Sequence, residues 1–228
     1  IGGGGLISGV AFAIKSLRPD VKVYGVQAAG APSMFNSMNA HEAITLDTVS
    51  TFADGIAVKH PSDNTFAMVE KYVDGVVTVT EDEIAAAILA LIEKQKLIAE
   101  GAGAVGVAAA MFDKVDLKGK KAVCLVSGGN IDVNILNRVI TRGLVMSGRN
   151  TNLMIALEDK PGQLQGVSEI ISRCGGNVVS VHHDRADTSM TITSCFLKLG
   201  LETRDEAQIH EIRDALTAAG FTLVNERA

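Results

Sequence analysis

The sequence predicts an α/β chain in two parts, a parallel-sheet unit followed by a smaller β-α-β-β-α-β unit, and three observations carry that reading. Apolar runs of strand period and helix period alternate over most of the first 145 of the 228 residues, the pattern of a parallel sheet covered on both faces. A short polar stretch containing glycine, Met146 to Asn150, then interrupts the alternation and reads as a linker. Beyond it, two helical patterns are set among four strand patterns.

Residues 6–17 read as a largely buried helix ended by Arg18-Pro19-Asp20, and 21–26 alternate as a strand. Helices are expected at 32–40 and 62–72, and a β-branched strand runs from Gly75 to Thr80. Thr80-Glu81-Asp82-Glu83 has the capping-box spacing, in which the Thr hydroxyl and the Glu carboxylate each satisfy a free N–H at a helix start. That helix is expected to reach about Ala99 with Ile84, Ile88, Leu91 and Ile92 as its apolar stripe. A small-residue helix from Ala104 to Phe112, a strand at Lys121–Ser127, a Gly-Gly-Asn turn and a helix at 134–142 complete the first unit. The second unit reads as a strand at 151–157 and a helix at 163–174 ended by Gly175. Strands at 177–185 and 189–199 follow, joined by a turn at Ala186-Asp187, then a helix at 203–219 and a strand at 221–225. This order is the ferredoxin-like unit.

Composition narrows the function classes. Twenty-one Lys and Arg against 26 Asp and Glu leave a net charge of −5, and no basic cluster suited to nucleic acid is present. With 47% hydrophobic residues the chain has ample apolar surface to fold. Cys124, Cys174 and Cys195 are odd in number and widely spaced, which suits a reducing cytoplasm and offers no disulfide framework or zinc pair. No run approaches the roughly 18 continuous apolar residues of a membrane span, and no secretory leader pattern is visible.

Much of the glycine content, 23 residues, is clustered, and the first cluster is Gly2-Gly3-Gly4-Gly5 ahead of Leu6 and an apolar helix. Without Cβ atoms, successive N–H groups can converge on an anion at the positive end of a helix, so the run reads as a phosphate cradle. A tight strand-to-helix turn is the alternative, although one or two glycines normally suffice for that and each costs unfolded-state entropy. It is not a Walker loop, since no Gly-Lys-Ser/Thr follows. Such a loop ordinarily follows a strand, and the sequence starts one residue before it without an initiator Met. The expectation is therefore the C-terminal part of a longer protein.

Five ordered segments sharpen this reading: Ile1-Gly-Gly-Gly-Gly-Leu-Ile-Ser-Gly, Ala53-Asp-Gly-Ile-Ala-Val58, Val79-Thr-Glu-Asp-Glu-Ile84, Ala99-Glu-Gly-Ala-Gly-Ala104 and Leu125-Val-Ser-Gly-Gly-Asn130. Together they resemble the C-terminal half of a pyridoxal-phosphate-dependent threonine dehydratase (threonine ammonia-lyase), in the fold type II group that includes serine racemase. Residues 150–228, with Asp159-Lys-Pro-Gly-Gln-Leu164 after the first strand, resemble an ACT regulatory domain. The resemblance implies a partial tryptophan-synthase-β-like catalytic domain over 1–146, with the regulatory domain over 150–228.

Residue by residue, the resemblance implies that Gly2, Gly3, Gly4, Gly5 and Leu6 hold the phosphate of pyridoxal 5'-phosphate. Gly55 would let backbone approach the ring, Glu100 would be a carboxylate near it, and Ser127 would face the pyridine nitrogen. Ser127 as a turn cap and Glu100 as a solvated helix-end charge stay open as alternatives. No catalytic residue is expected in the chain, because the Schiff-base lysine of this family lies upstream of the glycine run, so the chain alone should be inactive. Some relatives bind a divalent cation after the strand that ends here at Val26. The corresponding stretch, Gln27 to Ser33, has no carboxylate, so no metal site is expected. Adjacent His182 and His183 on a strand point to opposite faces and cannot chelate one ion together.

For the second unit the resemblance implies an amino-acid effector, isoleucine or valine, at Asp159, Pro161, Gly162, Gln163 and Leu164, where a helix start can receive a carboxylate. A plain turn in a purely dimer-forming domain is the alternative. The implied whole is a cytoplasmic homo-oligomeric lyase, dimer or tetramer, acting on L-threonine in isoleucine biosynthesis or threonine catabolism. It would bind no nucleic acid or membrane. A serine dehydratase or racemase, or a non-catalytic amino-acid-sensing module, are the other readings.

Overall fold

The computed structural model describes residues 1–186 and 191–224. The chain divides into two compact units, Ile1–Ile140 and Thr141–Ala228. In the first unit, α1 (Gly5–Leu17) precedes β1 (Tyr24–Ala28), α2 (Ser33–Ala40), α3 (Asp63–Tyr72) and β2 (Gly75–Val79). These are followed by α4 (Glu81–Ala90), α5 (Gly101–Met111) and α6 (Val133–Met146), the last running into the second unit.

β1 and β2 pair in parallel, Tyr24 opposite Gly75 through Ala28 opposite Val79. A parallel pair needs a crossover, supplied here by α2 and α3. Both faces are covered, as the alternation of elements requires. Val26, Ala28, Val77 and Val79 pack with α4 and α5 residues such as Ile84, Ile88, Ala104 and Ala108. Val76, one residue out of phase, packs instead with Ala11, Met34, Phe66 and Val69 from α1, α2 and α3. The capping box forms as its spacing requires: the Thr80 N–H donates to Glu83 Oε2 at 2.8 Å and the Glu83 N–H to Thr80 Oγ1 at 3.3 Å.

Asp74, between α3 and β2, fastens α1 to the sheet. Its Oδ2 lies 2.6 Å from Lys15 Nζ of α1 and accepts the Val23 N–H at 2.8 Å, while Oδ1 accepts from Lys22 at 2.9 Å. Burial acts to raise its pKa, but the Lys15, Val23 and Lys22 hydrogen bonds outweigh it and bring the value down to about 2. A depressed carboxylate stabilises the fold above its unfolded pKa and loses that contribution as the pH falls through the folded value. Its side chain is only 16% exposed. Asp74→Asn is therefore expected to cost about 2 kcal/mol in urea unfolding at pH 7. The gap to the unsubstituted chain should close as the pH falls from about 4 to about 2. A gap independent of pH would contradict this role.

β1 starts at Tyr24 rather than at residue 21 and runs on to Ala28, α5 starts at Gly101 rather than Ala104, and three further elements of the first unit differ from expectation. α1 buries only Ser8 and Ala11 fully and leaves Leu6 and Leu17 exposed, because within the chain one side of it alone meets α3. α4 ends at Ala90, and a π-turn over Leu91–Gln95 carries the chain to Lys96 in the left-handed region, well short of Ala99. Lys121–Ser127 is not a strand. Its backbone lies along the glycine face of α5 instead, with Cys124 Sγ 3.5 Å from the Gly106 carbonyl oxygen. The β-branched alternation there is genuine, but a strand exists only when a neighbour pairs with it, and among the described residues none does. Val123 is left 98% exposed.

In the second unit, β3 (Asn150–Glu158), α7 (Gln163–Arg173), β4 (Asn177–Asp184), β5 (Ser194–Glu202), α8 (Glu206–Ala218) and β6 (Thr222–Val224) follow in that order. The sheet order is β4-β5-β3-β6 and every pair is antiparallel. Alternate residues Leu153, Ile155 and Leu157 of β3 and Cys195, Leu197, Leu199 and Leu201 of β5 face Val167, Ile170, Ile171, Ile212 and Leu216 of the helices. α6 extends to Met146, so the expected linker shrinks to a turn at residues 147–149. β5 starts at Ser194, later than the alternation suggested, and the expected turn at Ala186-Asp187 falls partly outside the described residues.

Candidate functional site

The glycine run separates into two kinds of position. Gly4 is the N-cap of α1 with φ 93°, and a Cβ there would lie 2.8 Å from Met34 Cε and 3.0 Å from Thr65 Cβ. A Cβ on Gly2 would lie 3.1 Å from Ile56 Cα and 3.2 Å from the Gly55 carbonyl oxygen. The fold itself therefore asks for glycine at 2 and 4. A Cβ on Gly3 or Gly5 would meet nothing within 4 Å, so no packing inside the chain explains those two.

The N-terminus of α1 has no side-chain cap, so the N–H groups of its first turn are left without intrahelical or capping partners. The loop is pinned from behind. Thr65 Oγ1 donates to the Gly3 carbonyl oxygen at 2.6 Å, and Ser8 Oγ donates to the Gly4 carbonyl oxygen at 2.7 Å. Both bonds take carbonyl oxygens and leave the N–H side free. Thr65 was not foreseen as part of this loop. Its sequence signal is the Ser62–Thr65 helix cap, and nothing local reports a partner 62 residues away.

The other expected residues of the first unit are gathered around this loop. Gly55, in a short 3-10 turn (Asp54–Ile56), touches Gly2 on one side. On the other, a Cβ at Gly55 would lie 3.1 Å from Ala102 Cβ and 3.3 Å from Glu100 Oε1. Glu100 is the N-cap residue of α5, and its Oε2 accepts the Asn130 N–H at 3.1 Å. Its N–H donates to the Gly128 carbonyl oxygen at 3.2 Å. Gly128, at φ 87°, leaves room for the same carboxylate, since a Cβ there would lie 2.4 Å from Glu100 Oε1. Ser127 is carried by this loop, and its hydroxyl makes no hydrogen bond among the described residues. Gly2, Gly55, Glu100 and the Ser127–Asn130 loop thus form one contiguous set. Gln27 lies on β1 itself, which runs on to Ala28, and is buried, its Oε1 accepting the Phe35 N–H at 2.8 Å.

In the second unit, Gly162 caps α7 at φ 91° without a side-chain cap, and Pro161 is exposed beside it. Gln163 opens the helix, and Leu164 packs on the core rather than facing outward. Asp159 is bound by Arg185, with Nε to Oδ2 at 2.6 Å and Nη2 to Oδ1 at 3.0 Å. That hydrogen bond holds its carboxyl below the usual range. His182 and His183 point to opposite faces, as a strand requires. His182 lines a groove with Asn152, Ser180, Lys198 and Gly200, and His183 is opposite Leu197 of the core face.

A parallel pair clad by helices, with an uncapped glycine-lined helix start, defines an α/β protein of the kind that receives an anion at a helix N-terminus. The model of the pyridoxal-phosphate dependent enzyme family matches residues 1–128, and the chain belongs to that family. Its cofactor is pyridoxal 5'-phosphate. The chain is 50% identical over 221 residues to an L-threonine ammonia-lyase of Thermotoga maritima, covering 97% of this chain and 55% of that protein. The structure is similar to the processed form of threonine deaminase isoform 2 from Solanum lycopersicum, with a TM-score of 0.58 and 39% identity over 62% of this chain and 39% of that one. It is also similar to maize serine racemase, with a TM-score of 0.56 and 34% identity over 64% of this chain and 46% of that one. The chain spans about half the length of the curated relatives it matches. No helix among the described residues is long and apolar enough to cross a membrane.

Proposed function

We propose that the chain is part of a pyridoxal-phosphate-dependent L-threonine ammonia-lyase, which releases 2-oxobutanoate and ammonia, and that its second unit is an ACT-type regulatory domain. The observation that carries the first half is the helix start with two glycines, 3 and 5, that no internal packing explains. The names of relatives that match nearly the whole chain support the substrate. The β-α-β-β-α-β order of the second unit supports the regulatory reading.

When bound, pyridoxal phosphate supplies the electron sink that makes the α-proton of an amino acid removable. In this reading the N–H groups of Gly2, Gly3, Gly4, Gly5 and Leu6 hold the phosphate, with the macrodipole of α1 adding to the attraction. Gly55 lets backbone approach the ring. Ser127 offers the ring nitrogen a neutral hydroxyl, which unlike a carboxylate does not enforce a protonated ring. Glu100 braces the Ser127 loop through Asn130 and Gly128. The lysine that carries the cofactor and moves the α-proton is expected outside these residues, so the chain alone would be inactive. Isoleucine or valine at the α7 start, a homo-oligomer and a cytoplasmic location complete the reading. The likeness to maize serine racemase favours a second reading, serine dehydration or racemisation.

The longer protein containing these residues, purified with pyridoxal phosphate, is expected to release 2-oxobutanoate from L-threonine at higher kcat/KM than pyruvate from L-serine. The reverse order would select the second reading, and no oxo acid from either substrate would overturn both. Isoleucine or valine is expected to raise the melting temperature of the chain; no shift from either would leave the second unit without a sensing role.

A further inference from the structure

His183 on β4, Cys195 on β5 and Asp159, just past the end of β3, reach one point. A ligand-capable atom of each lies within 4.8 Å of the other two. Strand parity explains the meeting. His183 on β4 is opposite Leu197 on β5, and Cys195 is two residues before Leu197, so both side chains share the helix-covered face. Asp159 follows the last residue of β3, and its N–H donates to the Thr193 carbonyl oxygen at 2.8 Å, which holds its carboxylate over the start of β5.

The cluster has an unmet need. His183 Nε2 is buried and has no hydrogen-bond partner, a condition that costs on the order of 1–3 kcal/mol. Cys195 beside it is 1% exposed. An imidazole nitrogen with no partner, a thiol and a carboxylate make a donor set for a borderline-soft divalent cation. We propose that Asp159, His183 and Cys195 bind a divalent transition-metal ion of the zinc type, with water in the fourth position. Adjacent His182, on the opposite face of β4, takes no part.

The balance of charge and protons is simple. The thiol gives its proton to solvent as the sulfur–metal bond forms, and thiolate and carboxylate together offset the dication. Burial raises the Cys195 thiol pKa, with Asp159 adding to this and Arg185 opposing it, so the ion rather than ambient pH displaces the proton. Arg185 need not leave. Each Asp159 oxygen accepts one hydrogen bond from it and keeps a second lone pair, which makes Arg185 the outer partner that orients the ligand. A bound ion would tie the turn before α7 to β4 and β5.

The test is cobalt(II) titration of the chelator-treated chain, followed by absorbance. The expected result is one equivalent bound, with d–d bands and a thiolate-to-cobalt charge-transfer band that zinc(II) erases. Cys195→Ser should abolish the charge-transfer band, and Cys174→Ser should leave it intact. His183→Gln and Asp159→Asn, which spare the buried thiol and so guard against misfolding, should each weaken binding by at least about a hundredfold. No charge-transfer band in the unsubstituted chain at saturating cobalt would overturn the proposal, as would a band that survives Cys195→Ser.

Discussion

Gly103→Ala is expected to destabilise the first unit by about 3 kcal/mol. A Cβ at 103 would lie 2.1 Å from the Ser127 carbonyl oxygen and 3.0 Å from that of Gly128, both backbone atoms with no flexible end to swing aside. The loop must lift off α5, and with it go the Glu100 N–H bond to Gly128 and the Asn130 N–H bond to Glu100. Overpacking of this kind costs about 1–3 kcal/mol, and the hydrogen bonds lost add about 1 kcal/mol each. Gly106, one turn along the same helix, is the control. A Cβ there would sit 3.8 Å from the Leu125 carbonyl oxygen, an ordinary contact, so Gly106→Ala should be neutral or stabilising by up to about 1 kcal/mol from helix propensity. Urea unfolding of both variants measures the contrast. Equal effects would mean that residues 121–130 do not lie against α5 as described.

The second large effect is expected on ligand affinity rather than stability. A Cβ at Gly3 or Gly5 would meet no other group of the chain, so Gly3→Ala with Gly5→Ala should not lower the unfolding midpoint. In the longer protein the same pair should weaken pyridoxal phosphate binding by at least about tenfold, or about 1.4 kcal/mol. Methyl groups on the N–H-lined wall hold the phosphate away from donors that are worth most at close range. Gly4→Ala should do the opposite and cost stability first, because Gly4 sits at φ 93° against Met34 and Thr65. A double variant that binds the cofactor normally would remove the reason for glycine at 3 and 5.

Local rules made much of this legible. The Thr80–Glu83 capping box and the order of strands and helices along the second unit follow from spacing and period, which act within a few residues. What failed depends on distant partners. Lys121–Ser127 carries a strand pattern but has no strand beside it, and α4 unwinds into a π-turn at Leu91 where its apolar stripe still continues. At the candidate site the residue types were visible as motifs, yet their contiguity was not. Only the fold brings Gly2 to Gly55, Gly55 to Glu100 and Glu100 to Gly128. Thr65 on Gly3 and the Asp159–His183–Cys195 cluster likewise arise from separations that no sequence window spans.

The phosphate cradle at the start of α1 is the claim on which the functional reading stands, and backbone amide NMR of the chain tests it most directly. Pyridoxal phosphate is titrated against pyridoxal as the control without phosphate. The expected result is a concerted, saturable shift of the Gly3, Gly4, Gly5 and Leu6 amides with the phosphorylated ligand, and little movement of them with pyridoxal. Shifts confined to other parts of the chain, or equal shifts with both ligands, would contradict it.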